Sequence, residues 1–420
     1  MALSLSEPIR DAGLTSGAML VIATVVGGGM FSLPIAMAGV WFPGATLVLI
    51  AISLMMLMTG LMLVEVNLHF DVGASFNTFT LELLGKRWNF VVGLAFGFVL
   101  YILTYAYISG SSAVLSNTIA KYSGMALPSP VSIILVSVIV SLIAWYSSLL
   151  VGRITTVLIF GKFIAFFATF SGMIGTINLD NLIDSASVAL PQTRYLPYVL
   201  MTLPFCIISF GFHGNVPSLV KLYGKENIHH IKNSIIVGTL FALILYIFWL
   251  AVTMGNISRA DFSPIIAKGG NIDVFVEAIG GIFTSRYMEL ILTFFGNFAV
   301  ASSLLAATLG LFDYIADLFH FPNNGIGRCK TAVVTYLPPA AVCLFFPNGF
   351  VHAIGYAGLA FTIWSVILPP FLVKSARQRF ATAAYRAPCN NAVLNTVIVC
   401  GGIVYLTVIL EVFGLLPVFR

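Results

Sequence analysis

Long, nearly unbroken apolar runs separated by short polar connections set the pattern of this chain. A helix needs about 20 apolar residues to cross a bilayer, and runs of that order fall at 14–38, 43–67, 88–115, 131–148, 152–176, 198–220, 233–254, 284–311, 331–347, 350–374 and 394–416. The pattern predicts an all-α polytopic membrane protein with eleven transmembrane helices, and an odd number puts the two termini on opposite sides. The first run is too long for a signal-peptide core and lacks a basic start and a small-residue cleavage site, so it reads as a retained span. Most connections are too short to hold a soluble domain. The longest, about 255–283, is polar and open to two readings: short helices packed over the outer mouth, or an ordinary loop.

Composition agrees with this picture. The chain has 420 residues, 59% hydrophobic and 8% charged, with a mean hydropathy of +1.03; soluble domains carry about a quarter charged residues. Five cysteines, Cys206, Cys329, Cys343, Cys389 and Cys400, are scattered without a C-x-x-C pair, which indicates neither a disulfide framework nor a metal site. The net charge of +5 matters through its placement. With the N-terminus inside, most of the 20 basic residues, among them Arg10, Lys86, Arg87, Arg153, Lys374 and Arg377, fall on the inner side. Fewer, including Lys121, Arg194, Arg259 and Arg420, fall outside, and Lys162 lies within a span. The positive-inside rule therefore predicts N-in, C-out, and no nucleic-acid partner is expected.

Two spans are interrupted. Residues 25–34 read VVGGGMFSLP, and residues 204–218 read PFCIISFGFHGNVPS. Proline lacks an N–H and glycine weakens a helix by about 1 kcal/mol relative to alanine. Freed backbone groups in hydrocarbon cost several kcal/mol each unless they face protein or a water-filled cavity, so both breaks should point inward. They lie in the first and sixth runs, five apart, so a five-helix repeat would appear in inverted topology. Paired broken helices in inverted halves point to the midplane site of a secondary transporter. Close packing of small residues is the competing account of the glycines.

At these residues the sequence resembles the hydroxy and aromatic amino acid permease family, the bacterial tyrosine and tryptophan permeases. The segments that carry the resemblance are GGGMFSLP (27–34), LMLVEVNL (61–68), SFGFHGNVPSL (209–219) and LGLFDYIADLF (309–319). The resemblance implies ten core helices in two inverted five-helix repeats, with broken helices 1 and 6 and an eleventh helix appended. On that plan 1–13 is a cytoplasmic tail, 14–176 the first repeat, 177–197 an outer loop and 198–374 the second repeat. A cytoplasmic loop at 375–393 then leads to the last helix and outer C-terminus, 394–420. It also implies proton-driven symport of tyrosine or tryptophan across the bacterial inner membrane by alternating access, with no cofactor. Nothing in the sequence specifies an oligomeric state.

An amino acid zwitterion brings a carboxylate and an ammonium into a poorly solvated site. Free N–H groups of Gly28, Gly29 and Met30, beside Gly27 at the start of a half-helix, suit the carboxylate. Carbonyls around Ala23 and Thr24 and around Ser209 and Phe210 suit the ammonium. Phe210 and Phe212, flanking Gly211, and Tyr101, Tyr105, Ser109 and Ser112 on one face of the third span are candidate walls for the ring; against them, an aromatic in a chain with 35 phenylalanines faces core or lipid more often than substrate. Lys162 lies nine residues past Arg153, about 14 Å along a helix and near the middle of a hydrocarbon core about 30 Å thick. Ionisable residues there are costly and usually functional.

By the resemblance, a fifth-span lysine takes the place of the cation in sodium-coupled relatives, with Ser302 and Ser303 as its eighth-span partners; the alternative is a static ammonium on carbonyls. Glu65 reads either as an acceptor for N–H groups of the sixth-span break or as an interfacial carboxylate. His213 reads as a proton relay or a satisfied hydrogen-bonding group, and Asp313 and Asp317 as solvated carboxylates. No G-x-S-x-G, H-E-x-x-H or G-x-x-x-x-G-K-[ST] is present, which argues against an enzyme and against ATP-driven pumping. No T-V-G-Y-G filter suggests a channel. A serine or threonine substrate and a sodium-coupled cycle are the alternatives within the carrier class.

Overall fold

The computed structural model describes residues 13–125, 127–185, 195–282, 286–413, 415–416 and 419. The expected tail 1–13, apart from Gly13, and Arg10, Arg194 and Arg420 of the charge pattern lie outside them. Among the described residues the chain is all helical. In order, the helices are α1 (Leu14–Val25), α2 (Ser32–Met37), α3 (Trp41–Asn67), α4 (Phe76–Leu84), α5 (Lys86–Ser123), α6 (Ser129–Tyr146), α7 (Ser148–Ile174) and α8 (Leu179–Ile183). They continue as α9 (Leu196–Ser209), α10 (Val216–Tyr223), α11 (Ile228–Asn256), α12 (Arg259–Ala267), α13 (Ile272–Gly280), α14 (Arg286–Leu318), α15 (Gly325–Phe345), α16 (Phe350–Thr362), α17 (Leu368–Arg379) and α18 (Asn391–Val412).

Each of the predicted apolar runs falls on helix. Among the described residues, eight helices are long and apolar enough to cross a membrane, with α9–α10 and α16–α17 each taken as one, or nine when the bent pair α1–α2 is also taken as one span. One side of α6 leaves Ile134, Leu135, Val138, Ile139 and Leu142 exposed; such a face is unfavourable in water and natural against hydrocarbon. The chain is a multi-pass membrane protein. The long polar connection holds two short helices, α12 and α13, which pack against α2, α5 and α14.

The interruptions fall where glycine and proline demand them. Helix α1 stops at Val25; Gly27 is extended, its N–H turning back to the Val25 carbonyl at 2.8 Å, and a 3₁₀ turn over Gly28–Phe31 leads into α2 at a bend of 53°. The sixth run divides at Phe210–Gly211, passes through a 3₁₀ turn at His213–Asn215 and resumes as α10 with Pro217 in its first turn. A third irregularity was not predicted. Between α16 and α17, Ile363–Ile367 form a π-helical turn, because Pro369 and Pro370 cannot donate to the carbonyls four residues back and their rings crowd that turn. Around α1 and the breaks stand α3, α5, α11, α14 and α16, with α14 packed most extensively on α7 and α5.

Candidate substrate cavity at two helix breaks

The two breaks front one cavity of about 450 Å³. Leu20, Ala23, Thr24 and Val25 of α1 line it, with Gly27 and Gly29 of the first break and Ser209, Gly211, Gly214 and Asn215 of the second. The opposite wall is apolar, formed by Phe96, Val99, Leu100 and Leu103 of α5, Ile354 and Phe361 of α16, and Trp364 on the π turn. Phe361 meets Trp364 edge-to-face at 4.5 Å, and Phe96 does so at 5.5 Å, an arrangement favoured by ring quadrupoles. Lys162, Ser302, Ser303 and Tyr107 supply a polar corner. At one end Thr24, Gly214 and Ala306 are exposed. Toward the other end Met30, Phe31, Phe210, Ile272, Phe275 and Phe350 are completely buried. The cavity thus opens where α1 begins and α10 ends, and is sealed on the side of α2, α12 and α13.

Side chains from surrounding helices satisfy the carbonyls that the breaks release, as an apolar setting requires. The Lys162 ammonium, itself buried, donates to the Val26 carbonyl at 2.5 Å. The Tyr246 hydroxyl lies 2.7 Å from the Val25 carbonyl and 2.8 Å from that of Ser209, and Trp249 Nε1 donates to the Met30 carbonyl at 2.9 Å. Across the open end, Asn215 Nδ2 reaches Thr24 Oγ1 at 2.6 Å and the Leu20 carbonyl at 3.3 Å. Ser303 sits against the first break: a Cβ at Gly27 would stand 3.3 Å from its Oγ. The Tyr107 hydroxyl is hydrogen-bonded to the Gly29 backbone and to Ser303. The ion pairs among the described residues leave Lys162 without a carboxylate partner. No group of three or more His, Cys, Asp or Glu among them is placed to share a metal ion. The site therefore offers the bare backbone of a glycine turn at a half-helix start, carbonyls from two broken helices, one ammonium and an aromatic wall.

The tryptophan/tyrosine permease family model matches residues 10–408. The chain belongs to the tryptophan/tyrosine permease family. A tyrosine permease of Enterobacter agglomerans is 76% identical, the match covering 97% of this chain and 98% of that one. A tryptophan-specific transport protein of Shigella flexneri is 47% identical over 97% of each. A low affinity tryptophan permease of Escherichia coli K12 is 44% identical, covering 96% of this chain and 97% of that one. Among solved structures, a nucleobase-cation-symport-1 family transporter in a closed conformation with bromovinylhydantoin bound has a TM-score of 0.58 at 16% identity, covering 98% of this chain and 95% of that one. This last likeness is one of fold.

In this permease Ala23, Thr24, Gly27, Gly29, Ser209, Gly211, Lys162, Ser302 and Ser303 come together around one cavity, with Gly28 on the 3₁₀ turn between the lining glycines. Helix α1 continues to Val25, so the carbonyls that side chains cap are those of Val25 and Val26, just past Ala23 and Thr24. Met30, Phe210 and Phe212 are buried outside the lining, and the Met30 N–H is not free as expected, because the 3₁₀ turn directs it to the Gly27 carbonyl at 3.2 Å. Tyr101, Tyr105 and Ser109 face away from the cavity, donating to the carbonyls of Val334, Phe346 and Pro347 at 2.9, 2.7 and 2.5 Å; Ser112 donates to its own helix. The cavity face of α5 is instead Phe96, Val99, Leu100, Leu103 and Tyr107, whose spacing is the helical repeat and was readable in the sequence.

Glu65 is not at the second break. It is completely buried, paired with Arg377 at 2.7 and 2.8 Å, and accepts the Ala387 N–H at 2.7 Å. His213 is buried beside the cavity with Nε2 2.8 Å from Thr59 Oγ1 and its ring stacked on Phe212. Asp313 and Asp317 are exposed. Tyr107, Asn215, Tyr246, Phe361 and Trp364 are site residues that the sequence analysis did not single out.

Proposed function

We propose that this permease is a proton-coupled symporter that carries tyrosine or tryptophan across the bacterial inner membrane by alternating access. The observation that carries the reading is the joint cavity: two interrupted helices, five spans apart, present bare backbone to one space with an aromatic wall opposite. The glycine turn at Gly27–Gly29 suits the carboxylate, the carbonyls of Val25 and Ser209 suit the ammonium, and Phe361, Trp364 and Phe96 suit the ring. The names of the relatives, tyrosine and tryptophan carriers, agree with a pocket of this character. We further propose eleven spans: inverted repeats at 14–176 and 198–374, then an appended helix from 394, with the N-terminus cytoplasmic and the C-terminus outside. In that orientation the cavity's open end faces the cytoplasm, and α12 and α13 lie over the closed outer side.

Proton coupling is assigned to Lys162, whose ammonium ties α7 to the first break through the Val26 carbonyl beside Ser302 and Ser303. Protonated, it holds these helices together; deprotonated, it releases them. His213 and Glu65 stand as further candidates, each engaged with a partner from another helix. The test is competition of labelled tyrosine uptake into proteoliposomes by each of the twenty amino acids. Inhibition confined to tyrosine, tryptophan and phenylalanine is expected; equal inhibition by serine or threonine would move the reading to the small neutral substrates.

A further inference from the structure

The hydroxyl of Tyr246 is the one side-chain donor among the described residues that reaches, from a third helix, a backbone carbonyl of each break. It stands 2.7 Å from the Val25 oxygen and 2.8 Å from the Ser209 oxygen. A phenol has a single proton, and carbonyls only accept. One of the two contacts is therefore a hydrogen bond at any moment, and the other brings two oxygens together with no proton between them. The Val25 oxygen also takes the Gly27 N–H at 2.8 Å, which leaves the phenol proton for Ser209 while the hydroxyl holds the two carbonyl oxygens side by side. A group with several N–H bonds, approaching from the opposite side, meets both oxygens and can donate to their remaining lone pairs.

That side is open. Val25 and Ser209 both line the cavity, whereas Tyr246 is completely buried behind them, its ring edge-to-face with that of Phe210 at 5.3 Å. The other donors that reach a break carbonyl from a surrounding helix serve the first break alone: Lys162 at Val26 and Trp249 at Met30. We infer that Tyr246 is a positioning residue for the substrate's ammonium group, gathering one carbonyl from each broken helix so that a single ammonium can bridge them. This rests on the reading of the cavity as an amino acid site. It also gives the substrate a means of tying the two halves together, because one ammonium can donate to a carbonyl of each broken helix at once.

The test measures initial rates of L-tyrosine uptake in proteoliposomes holding the full chain. Y246F removes the hydroxyl and keeps the ring. A hydrogen bond involving a charged group corresponds to about a tenfold or larger change in affinity, so KM is expected to rise about tenfold while the maximal rate stays within about twofold. W249F, which removes the neighbouring donor to Met30, serves as the control and should not reproduce that split. Replacing Tyr246 by 4-aminophenylalanine supplies two N–H bonds, one for each carbonyl, in nearly the same volume and is expected to keep KM near the wild-type value. This second variant decides the matter if Y246F fails to insert. An unchanged KM in Y246F, a tenfold rise in the 4-amino variant, or an equal rise in W249F would overturn the inference. Absence of tyrosine uptake by the wild type would instead overturn the substrate reading on which it rests.

Discussion

Replacing Lys162 by alanine should abolish uphill accumulation while leaving substrate exchange. The Nζ–Val26 bond is 2.5 Å long and its donor is buried. A hydrogen bond to a charged group contributes about 1.5–3 kcal/mol, so its loss shifts the balance between conformations by about ten- to a hundredfold. One charge moving with each substrate couples about 2.3 kcal/mol per 100 mV of membrane potential, equivalent to about fiftyfold accumulation. In proteoliposomes under that potential and an inward pH gradient, the wild type should concentrate tyrosine to that order and the alanine variant should only equilibrate it. Counterflow of labelled against unlabelled substrate should persist, because the groups assigned to carboxylate, ammonium and ring are untouched. Lys162→Arg is the sharper variant. A guanidinium keeps its proton under nearly all protein conditions, so it should hold the contact with Val26 permanently and stop accumulation. An arginine variant that still concentrates substrate against its gradient would refute the switching role and demote Lys162 to a structural cation.

Further outcomes follow from the packing. Phe361→Ala opens the aromatic wall and should raise KM for tyrosine and tryptophan by about tenfold in initial uptake rates, a contact of about 1–3 kcal/mol; an unchanged KM for both would place the ring elsewhere. Glu65→Ala takes the carboxylate from Arg377, which keeps only the Ala387 and Cys389 carbonyls and the Cys389 sulfur, and leaves the Ala387 N–H without its acceptor. Breaking a buried pair costs about 3–5 kcal/mol, here toward the lower end because the Arg377 side chain is 23% exposed, and a lowered thermal unfolding temperature in detergent should report it. Gly358→Ala would drive a methyl group into the Pro204 carbonyl, where backbone must yield; overpacking of this kind costs about 1–3 kcal/mol, and an unchanged unfolding temperature would contradict the packing of α16 on α9.

The helix breaks were legible in the sequence because they rest on local chemistry: three glycines before Pro34, and Gly211, Gly214 and Pro217 within fifteen residues of Pro204, violate helix rules wherever they occur. Lys162 was legible for a similar reason, as one cation deep in an apolar run. The π turn was hidden because Pro369 and Pro370 sit late in a run that stays helical on either side, and a single widened turn absorbs them. The wrong face of α5 drew attention because hydroxyls suggest a ligand; Tyr101, Tyr105 and Ser109 instead serve carbonyls of α15, whose Pro338 and Pro339 interrupt its hydrogen bonding, and of the segment that follows it. Glu65 pairs with a residue 312 positions away, and Tyr246 meets carbonyls whose freedom depends on where α1 stops. Neither relation has a local signal.

Proton-driven carriage of an aromatic amino acid through the cavity between the breaks can be read by recording internal pH and labelled tyrosine together. The wild-type permease is reconstituted in sodium-free proteoliposomes with an imposed inward proton gradient. Tyrosine should accumulate, each addition should acidify the interior, and a protonophore should abolish both signals. Accumulation that requires sodium, or tyrosine entry with no accompanying acidification, would contradict it.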